Sequence, residues 1–456
     1  MTRFVAVIDI GKTNAKVALV DLETSREIAV FKTPNHVTAG PPYPHFDIRT
    51  RWAFILSGLK SLSQKHSVDA ISVTTHGATA ALVDAKGNLV LPVLDYEFAG
   101  PNEKRAAYEA VRPHFDETGS PSLPIGLNLG AQIFWLAQSF PNEFARCAAI
   151  LTYPQYWSYR MSGVMASEAT SLGCHTDLWN PWTGDFSSLV SSQGWRHLFP
   201  KVQLANANLG PVLDEIADST GIKRGTPVYC GIHDSNASLL PYLGGGEGSF
   251  AVVSTGTWII AMAVGGKKVL LDPARDTLVN VNAYGKATPT ARFMGGRDFE
   301  TMVGTSQVAA RAIDIAAVLG NTIMLLPSIS QGSGPFANQY SRWLVNEPIS
   351  DSQYIVAVSF YCALVTSTCL ELIGADGPIY VEGPFANNGA YLKMLAAATQ
   401  RPVYTNLAST TGTSFGTAML AGADSNASRN GNIVVPDSDF IAMLDYAAIW
   451  VGQTTK

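Results

Sequence analysis

The stretch Phe4-Val-Ala-Val-Ile-Asp9-Ile-Gly11-Lys12-Thr13-Asn14-Ala-Lys16-Val-Ala-Leu-Val-Asp21 sets an acidic, glycine-containing corner between two apolar runs. Such runs joined by Asp-x-Gly-x-Thr read as two strands and a tight polar turn. The turn gathers a carboxylate, a position without Cβ, and hydroxyl, amide and cationic donors, which suits a phosphate and its metal. The same grammar returns in Phe250-Ala-Val-Val-Ser-Thr255-Gly256-Thr257-Trp258-Ile-Ile-Ala-Met-Ala-Val264. Any two β-hairpins look alike, so the echo alone does not choose between chance and a repeated unit. Just before it, Gly244-Gly-Gly-Glu-Gly248 follows an apolar, helix-like run from Ala237 to Leu243. The chain is therefore divided into a 1–243 domain and a 244–456 domain.

A chain of 456 residues exceeds what one core usually supports. Its 47% hydrophobic and 15% charged residues describe a globular protein. A formal net charge of −5 without a basic run argues against nucleic acid or an anionic membrane as partner. A small molecule is the expected ligand. Cys147, Cys174, Cys230, Cys362 and Cys369 are scattered with no Cys-x-x-Cys pair, a pattern of reduced thiols. With no charged leader and no run of about 18 apolar residues, the expectation is a soluble, cytoplasmic protein, monomeric or homodimeric.

Strands alternate with helical patterns in both halves, so the fold class is α/β. Ala70-Ile-Ser-Val-Thr74 ends at Thr75-His76-Gly77-Ala78, and Ala81 to Leu89 reads as a hairpin. Val228-Tyr-Cys-Gly-Ile232 reads as one strand running into His233-Asp234-Ser235, where a helix starts. Ile379-Tyr-Val-Glu-Gly383-Pro384-Phe-Ala-Asn387 is a strand leaving through a Gly-Pro corner. No Gly-x4-Gly-Lys-Ser/Thr string exists, so bound phosphate would be held by hairpin turns, one in each half. Asp234 stands at a strand end before small residues. It reads either as a helix cap or as a base for a substrate hydroxyl. His76, between Thr75 and Gly77 at a strand end, reads equally as facing a ligand or not, whereas His175 reads as structural. Gly412-Thr-Ser414-Phe-Gly416 matches the nucleophile elbow of serine hydrolases, but no histidine follows it. Its small residues instead suit close helix packing.

Taken in order, these segments resemble the FGGY family of carbohydrate kinases, within the actin and hexokinase ATPase superfamily. Asp9 to Lys16 looks like the family's first phosphate motif and Ser254-Thr255-Gly256-Thr257-Trp258 like its second. Leu151 to Gly163 with Ser167-Glu168-Ala169-Thr170 is similar to its central signature. Gly231-Ile-His233-Asp234-Ser-Asn-Ala237 resembles its catalytic segment, and Glu382-Gly383-Pro384-Phe-Ala-Asn387 its adenosine motif. The resemblance implies two ribonuclease-H-like (actin-like ATPase) domains flanking a catalytic cleft, with ATP and Mg²⁺ as cofactors and a small sugar as substrate. It implies Asp234 as catalytic base and Asp9 as metal ligand. Gly11, Lys12, Thr13, Asn14, Lys16, Thr255, Gly256, Thr257, Gly383, Pro384 and Asn387 would contact the nucleotide. Thr75, His76, Gly77, Asp95, His233 and Asp234 would face the sugar.

The departures from the family pattern bear on the substrate. Lys12 replaces a small hydroxyl residue and either adds a phosphate contact or points away. Glu382-Gly383-Pro384 stands for Gly-Gly-x, and Val93-Leu-Asp95-Tyr96-Glu97 for Trp-x-Asp-x-Arg. His76 stands for Gln or Trp. The second phosphate motif and the Gly-Ile-His-Asp-Ser segment look most like the branch acting on 6-deoxyketoses, L-rhamnulose first and L-fuculose second, giving 1-phosphates. Pentuloses and tetritols rank behind. Phe134, Trp135 and Tyr96 could meet a methyl group or be core. A catalytically inactive sugar sensor and a chaperone-type ATPase are the rivals from other classes; retention of Asp9 and Asp234 argues against the first.

Overall fold

Strand Phe4–Ile10 and strand Asn14–Asp21 form the expected hairpin, in a register that sets Asp9 opposite Lys16. Side chains on both faces of the first strand are buried. Ala6, Ile8 and Ile10 join one apolar cluster and Val5 and Val7 another, all fully inaccessible. Burial on both faces explains why the strand reads as a continuous apolar run without alternation.

A computed structural model describes residues 2–244, 248–304, 311–405, 412–422, 432–435 and 438–455. Residues 245–247 of the glycine break lie outside the described residues. The first sheet runs in the order Asn208–Pro211, Pro227–Tyr229, Ala70–Thr75, Phe4–Ile10, Asn14–Asp21, Arg26–Pro34, with Ile232–His233 also pairing with Ala70–Thr75. Ala70–Thr75 is parallel to the opening strand. Helix Ile48–Ser63 covers one face through Ile55, Leu59 and Leu62.

The second sheet repeats this plan. Phe250–Thr255 and Ile259–Val264 form an antiparallel hairpin, and Ile379–Glu382 lies parallel to the first of these strands. The full order is Thr277–Val281, Ala287–Phe293, Ile259–Val264, Phe250–Thr255, Ile379–Glu382, Val403–Thr405, Asn432–Ile433. The sequence echo is thus a repeated sheet. Its core is built around helix Asp351–Leu372, which opens with a capping box formed by Ser350 and Gln353. This helix is long and apolar enough to cross a membrane, which the reading of the sequence did not register, but it is mostly buried within the unit.

By packing, one unit comprises Met1–Gly245, Val279–Ala287 and Ala408–Ser428, and the other Gly246–Leu278, Thr288–Leu407 and Arg429–Lys456. Two segments from the second half therefore fold with the first unit, a return that one cut at 244 does not contain. One of them carries helix Gly412–Met419, which lies against helix Asp234–Leu243. At Gly416 an added Cβ would sit 1.8 Å from the Ala237 carbonyl oxygen. The hydrolase-like string is accordingly a packing motif, and the Ser414 hydroxyl accepts a hydrogen bond from the Lys16 ammonium.

Two other segments depart from expectation. The strand expected over Val228–Ile232 is broken, because Gly231 takes φ +92° and an added Cβ there would meet the Val73 carbonyl oxygen at 2.8 Å. Ala80–Val83 pairs chiefly with Ala149–Thr152; its expected partner contributes only the Val83–Leu89 bridge. Since the Gly416 approach leaves no room for a side chain, Gly416→Val should cost about 1–3 kcal/mol through overpacking. A thermal melt should show this as a Tm lowered by several degrees; an unchanged Tm would count against the close approach.

Candidate active site

The first turn is tied together by backbone and by one side chain. The Gly11 amide donates to the Asn14 carbonyl at 2.9 Å, while Asn35 donates from its side chain to Gly11 O at 2.7 Å and from its amide to Thr13 O at 2.8 Å. Thr13 and Asn14 are exposed. Beneath them the Lys16 ammonium lies 3.3 Å from Asp9 and 3.1 Å from Glu27. Burial raises the Asp9 carboxyl, Lys16 opposes this, and the Asp234 charge raises it further. Two like charges acting on each other at strand ends are a setting in which a divalent cation is favoured.

Asp234 is not the helix cap of the bland reading. His233 occupies the cap position and Asp234 is the first residue of helix Asp234–Leu243, where the helix dipole favours a negative charge. Asp234 Oδ1 accepts from the Ser235 amide at 2.6 Å and lies 3.0 Å from His233 Nε2. Burial pushes His233 down to about 4, so the ring is neutral near pH 7. Its Nε2 also meets Cys174 Sγ at 3.6 Å, and Nδ1 faces the Asn236 amide at 3.5 Å. Oδ1 is thus committed, while Oδ2 has no partner among the described residues. Burial raises the Asp234 carboxyl even though 36% of its side-chain surface stays open; His76 and the Ser235 amide oppose the rise.

The strand break that places Asp234 is held from behind. Gln155 donates to both Cys230 O and Gly231 O at 3.1 Å. The His233 amide donates to the Thr170 hydroxyl at 3.1 Å, and that hydroxyl donates to Glu168 at 2.6 Å. Glu168, 1% exposed, also accepts from the Thr170 amide at 2.8 Å and from the Ser171 amide at 3.1 Å. Burial outweighs these donors and pushes its carboxyl up to about 7.

His76 ends the parallel strand Ala70–Thr75 and is 6% exposed. Its Nδ1 bonds Gly77 O at 2.9 Å, whereas Nε2 is buried with no partner among the described residues. That orphan nitrogen is an acceptor poised for a ligand hydroxyl. Phe46, Tyr96 and Tyr153 surround the ring at 5.2, 5.3 and 5.2 Å between centroids. Gly77 gives His233 its space, since an added Cβ would meet His233 Nε2 at 2.9 Å. Thr75 is fully buried with its hydroxyl bonded to His76 O. The Lys12 ammonium is paired with Asp95 and lies 3.2 Å from Glu97. Phe134 and Trp135 are buried in a separate apolar cluster, and His175 bonds Leu127 O at 2.8 Å, a structural use.

In the second unit, Gly256 and Thr257 are exposed at the hairpin tip, while Thr255 is buried. The Thr255 hydroxyl donates to Glu382 O and accepts from the Phe385 amide at 3.2 Å, a structural task that the sequence did not suggest. Gly383, with φ +81°, allows the corner to approach: an added Cβ would lie 1.9 Å from Thr255 O. Gly383, Pro384 and Asn387 are exposed there. Asn35 and Gln155 went unread as supports because nothing in their local sequence marks them. Glu168 and Thr170 were quoted only as part of a motif.

Residues 4–241 match the N-terminal domain of the FGGY family of carbohydrate kinases, and residues 247–430 match carbohydrate kinase FGGY, C-terminal domain. A carbohydrate kinase from Novosphingobium aromaticivorans is 36% identical with a TM-score of 0.90, covering 100% of this chain and 99% of that one. The L-fuculokinase of Salmonella typhi is 27% identical over 272 residues, 58% of this chain and 57% of that protein. An L-xylulose/3-keto-L-gulonate kinase of Escherichia coli is 23% identical, covering 58% and 55%. The chain thus matches little more than half the length of these curated relatives. A ligand-bound xylulose kinase from Lactobacillus acidophilus, 14% identical with a TM-score of 0.80 over 99% and 98% of the chains, shares the fold.

Glu168 titrates at about 7 in the fold against 4.5 ordinarily. Its contribution to stability is therefore fully present below 4.5 and lost as pH rises through about 7. Melts of the natural protein and Glu168→Gln from about pH 5 to about pH 8 should show the natural protein losing Tm relative to the variant. A difference constant with pH would refute the buried titration.

Proposed function

We propose that this chain, which belongs to the FGGY family of carbohydrate kinases, transfers the γ-phosphoryl group of ATP to a hydroxyl of a small ketose. The observation that carries the reading is the one-sided Asp234 carboxylate, with Oδ1 bonded by Ser235 and 3.0 Å from His233 Nε2, and Oδ2 without a partner among the described residues. Phosphoryl transfer needs the attacking hydroxyl positioned and its proton accepted, and little other covalent work from the protein. Asp234 Oδ2 takes that proton. Ser235 fixes the carboxylate's rotation, and the Glu168–Thr170 pair holds the neighbouring His233 through its amide. His76 Nε2 accepts a second substrate hydroxyl and so orients the sugar.

The donor set at Asp9 fits Mg²⁺: a carboxylate raised by burial beside a second carboxylate, with exposed turn groups around it. Asp9 would hold the ion, which supplies neutralisation of phosphate charge when bound. The exposed Gly256–Thr257 tip and the Gly383–Asn387 corner offer backbone and amide groups to phosphate and adenosine. For the substrate, the likeness to L-fuculokinases supports L-fuculose ahead of L-rhamnulose, reversing the order suggested by the motifs. Pentuloses follow.

The test is ADP release from Mg-ATP with L-fuculose, L-rhamnulose, D- and L-ribulose, D- and L-xylulose, erythritol and glycerol. One sugar should drive release, and Asp234→Asn should lose at least about 10²-fold, the low end of general-base contributions. Because the Asp234 carboxyl is raised, kcat/KM should fall on acidification from a pH above the ordinary carboxylate range. A variant as fast as the natural protein would overturn the assignment of the base.

A further inference from the structure

Lys12 lies in the turn that resembles a phosphate motif, yet its ammonium does not face the turn's exposed rim. It pairs with Asp95 and Glu97 and lies over the rings of Phe46 and Tyr96, 5.2 and 4.8 Å from their centroids. Tyr96 in turn packs edge-on to His76, and the Asp234 charge acts on both Tyr96 and His76. Lys12 and Asp95 therefore stand in one continuous group with the residues that accept the sugar hydroxyls. We infer that Lys12 is a specificity-determining residue on the sugar side of the site, holding Asp95 as a charged acceptor for a neutral polyol.

The charges support this. The Asp95 side chain is 9% exposed and that of Lys12 19%, so the pair is shielded from solvent, while Glu97 is 59% exposed. Lys12 offsets the desolvation of Asp95. One ammonium is shared by two carboxylates, with Asp234 as a further negative charge nearby. A sugar acid entering this group would meet electrostatic repulsion, because the only cation among the group's described residues is already paired. A neutral ketose meets none, and Asp95 accepts hydroxyl hydrogens that a hydrophobic wall could not. The ammonium over the two ring faces also fixes Tyr96 and Phe46, whose faces attract a cation. The inference rests on the kinase reading for the identity of the ligand, but its test does not require turnover.

Calorimetry without turnover would measure binding of L-fuculose, L-rhamnulose, L-xylulose and D-gluconate, and separately of Mg-ATP, to the natural protein, Lys12→Met, Lys12→Arg and Asp95→Asn. A neutral ketose should bind and D-gluconate should not. Lys12→Met and Asp95→Asn should each weaken the ketose by about tenfold to a hundredfold, the range of hydrogen bonds to charged groups. Mg-ATP affinity should stay within about twofold, and Lys12→Arg, which keeps the charge in a different shape, should bind the ketose more tightly than Lys12→Met. Should Lys12→Met fail to fold, Asp95→Asn carries the same comparison. A loss of Mg-ATP affinity as large as that of ketose affinity would overturn the inference, as would preferential binding of D-gluconate or binding of no neutral ketose. Ketose binding that depends on Lys12 without ADP release would sink the kinase reading and leave this one standing.

Discussion

A strand buried on both faces can carry a charged side chain only where it emerges from the core, because a buried charge without a partner costs far more than the fold can spare. The centre of the first sheet obeys this constraint. Asp9 stands at the end of Phe4–Ile10, His76 just past Ala70–Thr75, and Asp234 just past Ile232–His233. The three strands are parallel neighbours through Ala70–Thr75, so their ends fall at one edge. These three polar groups are together because the apolar runs behind them are together.

Position alone does not fix orientation, and the deeper supports do that. Thr170 and Gln155 spend hydrogen bonds on the backbone from Cys230 to His233, Glu168 accepts from the Thr170 hydroxyl behind them, and Asn35 spends both of its donors on the first turn. Each satisfies a buried group that would otherwise be costly, and each removes a freedom from a residue in front of it. The result at Asp234 is a carboxylate with one oxygen occupied and one available. Helix Gly412–Met419 adds a further restraint, since the missing side chain at Gly416 seats it against the helix that begins with Asp234.

The same strand plan in both sheets carries different chemistry at corresponding corners. In the first, Asp9 and Lys16 face each other across the hairpin. In the second, the equivalent region presents Ser254 and Thr255, and the Thr255 hydroxyl ties the hairpin to the Glu382–Phe385 corner. One corner suits a charged ligand group and its counter-ion; the other offers an uncharged rim of backbone and hydroxyl.

The sequence by itself determined the α/β class, the two hairpins, the strand ends bearing Asp9, His76 and Asp234, and the close-packing role of Gly416. Those features follow from apolar runs, turn residues and small side chains, which act over a few residues and are legible locally. Tertiary structure decided the break at Gly231, the position of Asp234 inside the helix, and the return of helix Gly412–Met419 to the first unit. It also decided that Lys12 meets Asp95, 83 residues away. A lysine's long stem reaches many places, and which carboxylate it finds is set by how distant segments pack.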